Sequence, residues 1–127
     1  MAVFNGAKFI NESVDSILCQ TFEDFEFIII DDGSTDETVA LVRKYQDERI
    51  IFYQNEQNVG LTKSLNLGLR LARGRFIARQ DADDISLGQR FERQIEFLSK
   101  NSDVALLGTG ARYINEQGKA FNGIPAS

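Results

Sequence analysis

The chain has 127 residues, a hydrophobic fraction of 43% and a formal net charge of −5. These values predict a single globular domain over residues 1–127 that does not bind nucleic acid, since that function requires a basic surface. The absence of histidine excludes catalytic triads built on imidazole, and a single cysteine excludes an internal disulfide and predicts a cytoplasmic protein. Chemistry must therefore depend on carboxylates, a metal ion or a bound cofactor.

Helical and strand-like patterns alternate along the chain. In chain order, the predicted elements are a helix over residues 7–20, a strand over 25–30, a helix over 34–45, a strand over 50–54, a helix over 61–72, a strand over 75–80, a helix from 86 onwards and a strand over 104–107, followed by a turn at 116–119. Strands that alternate with helices of this length predict an α/β fold, a three-layer sandwich with a mostly parallel sheet. Val3 and Phe4 are too few for the buried strand with which such folds begin, so we expect the first strand to be missing or truncated.

Three local signals predict where helices begin or end. Ser34 with Glu37, and Ser86 with Gln89, have the spacing of capping boxes at helix N-termini. Gly74 follows the helix over residues 61–72 and is predicted to be its left-handed C-terminal cap.

Two acidic segments each follow a predicted strand: Asp31-Asp32-Gly33-Ser34 and Asp81-Ala82-Asp83-Asp84. Ligands of open α/β sheets bind where parallel strands end, so these segments could converge on one crevice. Mg²⁺ and Mn²⁺ prefer carboxylate oxygens and leave positions for ligand phosphates, which favours a metal ion that carries a phosphorylated ligand. The alternative for the second segment is a solvated acidic turn.

Candidate residues of these segments, and Phe4 near the start of the chain, could each serve in more than one way. Asp32 could accept a hydrogen bond from the imide of a uracil-type base, or its charge could merely stabilise a helix N-terminus. Within the second segment, one aspartate could hold the metal while its neighbour accepts from a ribose hydroxyl. Phe4 could stack on a base, or it could be an ordinary core residue.

Ordered motifs along nearly the whole chain resemble the inverting glycosyltransferases of family 2. The motifs are Phe4-Asn5-Gly6, Ser16-Ile17-Leu18-Cys19-Gln20-Thr21-Phe22, Asp31-Asp32-Gly33-Ser34, Asn58-Val59-Gly60-Leu61, Gln80-Asp81-Ala82-Asp83-Asp84 and Arg90-Phe91. The resemblance implies a Rossmann-like A-type nucleotide-sugar-binding fold. It also implies an enzyme that uses a nucleotide-diphosphate sugar, a UDP-sugar being expected, and transfers the sugar to a saccharide or lipid-linked acceptor.

The resemblance also implies roles for four residues. Asp32 would bind the uracil ring, Phe4 would pack against it, Asp81 would contact the ribose, and Asp83 would hold Mn²⁺ or Mg²⁺ on the diphosphate.

A catalytic residue is not expected within this sequence. The resemblance places the family's general base beyond Ser127, the last residue here, and residues 121–127 contain no matching acidic motif. We therefore expect this chain to bind donor nucleotide without turnover of its own. The parent protein is expected at the inner face of the membrane, and an exposed sheet edge predicts self-association.

Two other functions fit part of the pattern. A sugar nucleotidyltransferase also binds sugar nucleotides on an α/β sheet, but its glycine-rich basic loop after the first strand is not seen. A non-catalytic nucleotide-binding or regulatory module would keep the fold without the chemistry. A receiver-like phosphoacceptor domain is less well matched, because its lysine after a late strand has no clear counterpart.

Overall fold

The computed structural model describes residues 1–120. Residues 121–127, in which the sequence shows no acidic motif, lie outside the described residues. The expectation of a general base beyond Ser127 lies outside them as well, so it stays a prediction.

The elements are β1 (Ala2–Val3), α1 (Ile10–Leu18), β2 (Phe27–Asp31), α2 (Thr38–Val42), β3 (Ile50–Gln54), α3 (Leu61–Leu71) and α4 (Arg90–Lys100). Over residues 1–120, none of the helices is long and apolar enough to cross a membrane.

The three strands form one parallel sheet in the order β1-β2-β3. Ala2 pairs with Ile30 in the register of β1 and β2, and Phe27 pairs with Ile50 in that of β2 and β3. The expected first strand is thus present in shortened form, with two residues. The predicted strand over residues 50–54 is confirmed with the same bounds.

The central strand β2 is covered on both faces. Phe27 and Ile29 join a core cluster with apolar residues of α1, α2 and α4: Ile10, Val14, Ile17, Val42 and Phe91. On the other face, a Cβ added to Gly68 of α3 would lie 3.8 Å from Ile30 Cγ1 and 4.0 Å from Ile28 Cγ2. Successive side chains of a strand point to opposite faces, so β2 is packed on one face by the core cluster and on the other by α3. The predicted three-layer α/β architecture with a parallel sheet is confirmed.

All three predicted helix caps are wrong. The Ser34 hydroxyl accepts a hydrogen bond from the Asn5 N–H, and α2 begins only at Thr38. Ser86 Oγ donates to Gln80 Oε1, and α4 begins only at Arg90. The helix α3 ends at Leu71 with extended backbone after it, and Gly74 has no positive φ. Hydrogen bonds between loops have replaced the local caps.

The predicted strands over residues 75–80 and 104–107 are not formed in the part of the chain that the structure describes. Phe76 is 36% exposed and Ile77 is 58% exposed, although both belong to an apolar run. A strand needs a partner of similar length for its backbone groups, and the two-residue edge strand β1 offers few such groups. The predicted turn at 116–119 is present, beside an isolated antiparallel bridge between Ile114 and Ala120.

Candidate functional site

The loop that follows β1 is bonded to the loop that follows β2. The Asn5 N–H donates to Ser34 Oγ at 2.9 Å, and Asn5 Oδ1 accepts from the Thr35 N–H at 2.8 Å. The next residue, Gly6, donates its N–H to Thr38 Oγ1 at 2.9 Å. Asn5 has a φ of 51°, a left-handed conformation that asparagine tolerates better than most residues. Asn5 is therefore an organising residue that we did not assign from the sequence, although the Asn-Gly pair is a turn signal.

The second acidic segment lies against the same loop from another side. A Cβ added to Gly6 would lie 3.9 Å from the Ala82 Cβ, and Ala82 packs against the core cluster. The backbone carbonyl of Asp81 accepts from Ser13 Oγ of α1 at 3.0 Å. The residues after β1 thus contact both acidic segments at the carboxyl end of the parallel sheet, where open α/β sheets bind ligands.

Asp32 is buried, with 3% exposure, and its carboxylate is bonded within the chain. Oδ1 accepts from Asn55 Nδ2 at 2.8 Å and from the Val59 N–H at 2.9 Å, and Oδ2 accepts from the Gly60 N–H at 2.9 Å. Burial raises the pKa of Asp32, but the hydrogen bonds outweigh it and hold the pKa below its usual value. Donors of the chain itself therefore hold both oxygens of the carboxylate.

Asp31 is fully buried beside it. Its Oδ2 accepts from the Ser34 N–H at 3.0 Å. Its Oδ1 is a buried side-chain oxygen without a hydrogen-bond partner among residues 1–120. An unsatisfied buried carboxylate oxygen is uncommon in folded proteins, because burial of a polar atom without a hydrogen bond costs stability.

Asp81 and Phe4 are both accessible. The Asp81 side chain is 45% exposed and forms an ion pair with Arg79, whose Nε and Nη2 donate to its two oxygens at 3.0 and 3.1 Å. Phe4 is 49% exposed, so the interpretation of Phe4 as an ordinary core residue is wrong. An exposed ring next to a polar loop is compatible with stacking on a planar ligand.

Asp83 is exposed and lines a cavity of about 170 Å³ together with Glu12, Ile85 and Glu116. Partial burial, and then the charges of Asp81 and Asp83, raise the pKa of Asp84. The segment is therefore a concentration of negative charge with hard oxygen ligands, which fits Mg²⁺ or Mn²⁺. Within residues 1–120, no three side chains converge as a metal cage. A metal here would need ligand phosphates and waters in addition to the protein carboxylate.

Stability should depend on pH through the carboxyls whose pKa is lowered in the folded chain. Hydrogen bonds from Arg49 lower the pKa of Asp47 to about 2, and the pKa values of Asp32 and Asp36 are also lowered. Such groups stabilise the fold above their unfolded pKa and lose that contribution as pH falls through the folded pKa. We expect the contribution of these carboxyls to the free energy of unfolding, measured by urea denaturation, to be constant above about pH 5 and to fall below about pH 4. Asp47→Asn should reduce the fall of the free energy of unfolding with pH below about pH 4. An unchanged pH dependence would contradict the contribution assigned to Asp47.

The fold and the site together define an α/β domain with a candidate ligand site at the carboxyl end of a parallel sheet. The chain belongs to glycosyl transferase family 2, whose family model matches residues 1–124. It is 41% identical over 122 residues to an uncharacterized glycosyltransferase of Methanocaldococcus jannaschii, covering 93% of this chain and 42% of the relative. The chain thus spans less than half the length of this relative.

Solved structures of glycosyltransferases have the same fold. TarS of S. aureus, in complex with UDP-GlcNAc, superposes with a TM-score of 0.76 at 30% identity, over 80% of this chain and 30% of TarS. The mannosyltransferase PcManGT from Pyrobaculum calidifontis, in complex with GDP-Man and Mn²⁺, gives a TM-score of 0.62 at 29% identity, over 66% of this chain and 26% of that enzyme. The prediction of a family 2 glycosyltransferase fold is confirmed.

Proposed function

We propose that residues 1–127 form a single donor-binding domain for a nucleotide-diphosphate sugar, most simply a UDP-sugar. The observation that carries this proposal is the loop after β1, which is bonded to the segment after Asp32 and packs against Ala82 between Asp81 and Asp83. One ligand that extends across this loop could reach both acidic segments. The nucleotide sugars bound by TarS and PcManGT support this class of ligand.

The proposed contacts of Asp32, Phe4 and Asp81 with the nucleotide agree with the burial and the hydrogen bonds of each residue. Asp32 is held ionised and accepts from the imide N–H of the base, while the exposed ring of Phe4 packs on it. Asp81 accepts from a ribose hydroxyl with the acceptor positions that Arg79 leaves open.

Asp83 is the proposed ligand of Mn²⁺ or Mg²⁺, in the most negative part of the site. When bound, such an ion offsets the charge that develops on the departing nucleoside diphosphate. The chain itself holds the Asp83 carboxylate on a turn in which the neighbouring Ala82 packs against the core cluster.

The complete reaction is a proposal for the whole protein. We infer transfer with inversion to a hydroxyl of a saccharide or lipid-linked acceptor, at the cytoplasmic face of the membrane. Inversion requires a general base for in-line attack, and we assign that base to a segment beyond Ser127 and to none of the residues of this chain. The chain alone is expected to bind nucleotide and not to turn over, and self-association through a sheet edge stays a prediction.

Thermal unfolding with UDP and Mn²⁺ tests the donor site. A ligand that binds only the folded state stabilises it by about 2.7 kcal/mol at a concentration 100 times its Kd. We expect UDP with Mn²⁺ to raise the unfolding midpoint more than GDP with Mn²⁺. Asp83→Ala should abolish the Mn²⁺-dependent part of the rise.

The matched control is Asp24→Ala, because the Asp24 side chain is exposed. It should respond to UDP and Mn²⁺ like the original chain. If neither nucleotide shifts the midpoint of the original chain, the donor-site proposal is wrong. A stronger response to GDP would retain the site and contradict the choice of uracil.

A further inference from the structure

The residue directly before the second acidic segment is a buried glutamine. Gln80 is 4% exposed, and its amide is fully bonded. Its Nε2 donates to the Asp84 carbonyl at 2.7 Å and to Ser13 Oγ at 3.2 Å. Its Oε1 accepts from Ser86 Oγ and from Arg90 Nη1, both at 2.8 Å. One side chain thus contacts a helix before the acidic segment, the segment itself and the residues after it.

The hydrogen bonds of Gln80 hold the turn formed by Asp81–Asp84, which no helix or strand holds in place. Residues 81–89 lie outside every helix and strand, so the backbone of the turn depends on side chains for its position. Arg90 closes the other side of the network, because its Nη2 donates to the Arg79 carbonyl at 2.6 Å. Asp83 itself makes no hydrogen bond within residues 1–120, so the placement of its carboxylate follows the turn.

An amide is the group that this position requires. A carboxylate could accept from Ser86 and Arg90 but could not donate to the Asp84 carbonyl. An aliphatic side chain would leave the donors and acceptors around it unpaired in a buried place, which destabilises the turn. Neither replacement would hold both ends of the turn.

We propose that Gln80 is a positioning residue for the metal, which sets the Asp81–Asp84 turn so that Asp83 can bind Mn²⁺ together with the nucleotide diphosphate. This inference rests on the proposed function and goes beyond it, because Gln80 touches neither the metal nor the nucleotide. Its effect on the metal is transmitted through the Asp84 carbonyl.

A second buried glutamine offers a matched control. Gln20 is 3% exposed, donates to the carbonyls of Ser16 and Leu87 at 3.0 and 2.9 Å, and accepts from the Phe91 N–H at 3.0 Å. It joins α1 to Leu87 and to the start of α4, and it makes no bond to residues 81–84. Loss of Gln20 should therefore destabilise the fold without changing the metal site.

The experiment compares Gln80→Leu with Gln20→Leu in the 127-residue chain. The unfolding midpoint is measured for each, and the Kd of Mn²⁺ at saturating UDP is measured by electron paramagnetic resonance of the free ion. Both variants should lower the midpoint. Only Gln80→Leu should weaken Mn²⁺ binding, by about tenfold or more, the range seen when residues behind metal ligands are removed.

Ser86→Ala is the milder variant if Gln80→Leu does not fold. It removes one donor to Gln80 Oε1 and should weaken Mn²⁺ binding in the same direction by a smaller factor. Equal Mn²⁺ affinities in the two leucine variants, or an unchanged affinity in Ser86→Ala where only that variant folds, would overturn the inference and leave the donor site intact. Failure of the original chain to bind Mn²⁺ with UDP would overturn the proposed function instead.

Discussion

Replacement of Gly33 by alanine is expected to lower the free energy of unfolding by about 2–5 kcal/mol, from backbone strain together with overpacking. Gly33 has a φ of 75°, which a residue with a Cβ rarely adopts. A Cβ at this position would also lie 2.7 Å from the backbone N of Asn58 and 2.7 Å from the backbone C of Gln57. Backbone atoms cannot rotate away as a flexible side chain could, so the two loops must separate.

Separation of these loops would also disturb the candidate site. The same loop continues to Val59 and Gly60, whose N–H groups donate to Asp32. We therefore expect Gly33→Ala to weaken UDP binding as well as stability. A change confined to stability would show that the loop can shift without loss of these donors.

Gly118→Ala separates strain from steric contact. Gly118 has a φ of 74°, and no atom lies within 4 Å of an added Cβ. This variant should lose only the strain component, about 1–2 kcal/mol. Urea denaturation of both variants measures the difference, and equal losses would contradict the close contact between Gly33 and residues 57–58.

Replacement of Asp32 by asparagine is expected to lower the free energy of unfolding by about 2–4 kcal/mol, even without nucleotide. Three donors point at the carboxylate oxygens, from Asn55, Val59 and Gly60. An asparagine presents one oxygen and one NH₂ group, so that a donor would face a donor in a buried place. Hydrogen bonds to an ionised acceptor are also stronger than those to a neutral one.

The control for this substitution is Asp24→Asn, which makes the same chemical change at an exposed position. It should alter stability by less than about 0.5 kcal/mol. Chemical denaturation at neutral pH provides the comparison. Normal stability of Asp32→Asn combined with lost UDP binding would mean that the carboxylate serves the ligand alone and does not organise the loop.

The two substitutions report on different properties of one strand end. Gly33→Ala tests whether the loops after β2 and β3 must approach closely, and Asp32→Asn tests whether charge-assisted hydrogen bonds hold them there. Together they test whether the same contacts support both the stability of this region and the binding of UDP. Stabilising nucleotide should partly rescue both variants if the site remains formed, because a ligand for the folded state shifts the equilibrium by mass action.

Some features of this protein follow from the sequence alone. Hydrophobic periodicity predicted β3 with its bounds, most of α3 and the covered parallel sheet, because burial imposes a regular spacing on a strand or helix. The ordered motifs predicted the family, and the position of Asp32 after a buried strand predicted its place at the carboxyl end of the sheet.

Other features were decided by the tertiary structure. Ser34 and Ser86 have the spacing of helix caps, yet their hydroxyls bond to Asn5 and Gln80, residues that no local pattern connects to them. The predicted strand over residues 75–80 is not formed among the described residues, because a strand depends on its partner as much as on its own side chains. The spacing of hydrophobic residues indicates which side chains are buried. The direction of a polar side chain depends instead on hydrogen-bond donors and acceptors that are distant in the sequence. For this reason the acidic segments could be assigned from the sequence, whereas the roles of Asn5 and Gln80, which stand in the same motifs, followed only from the hydrogen bonds of the fold.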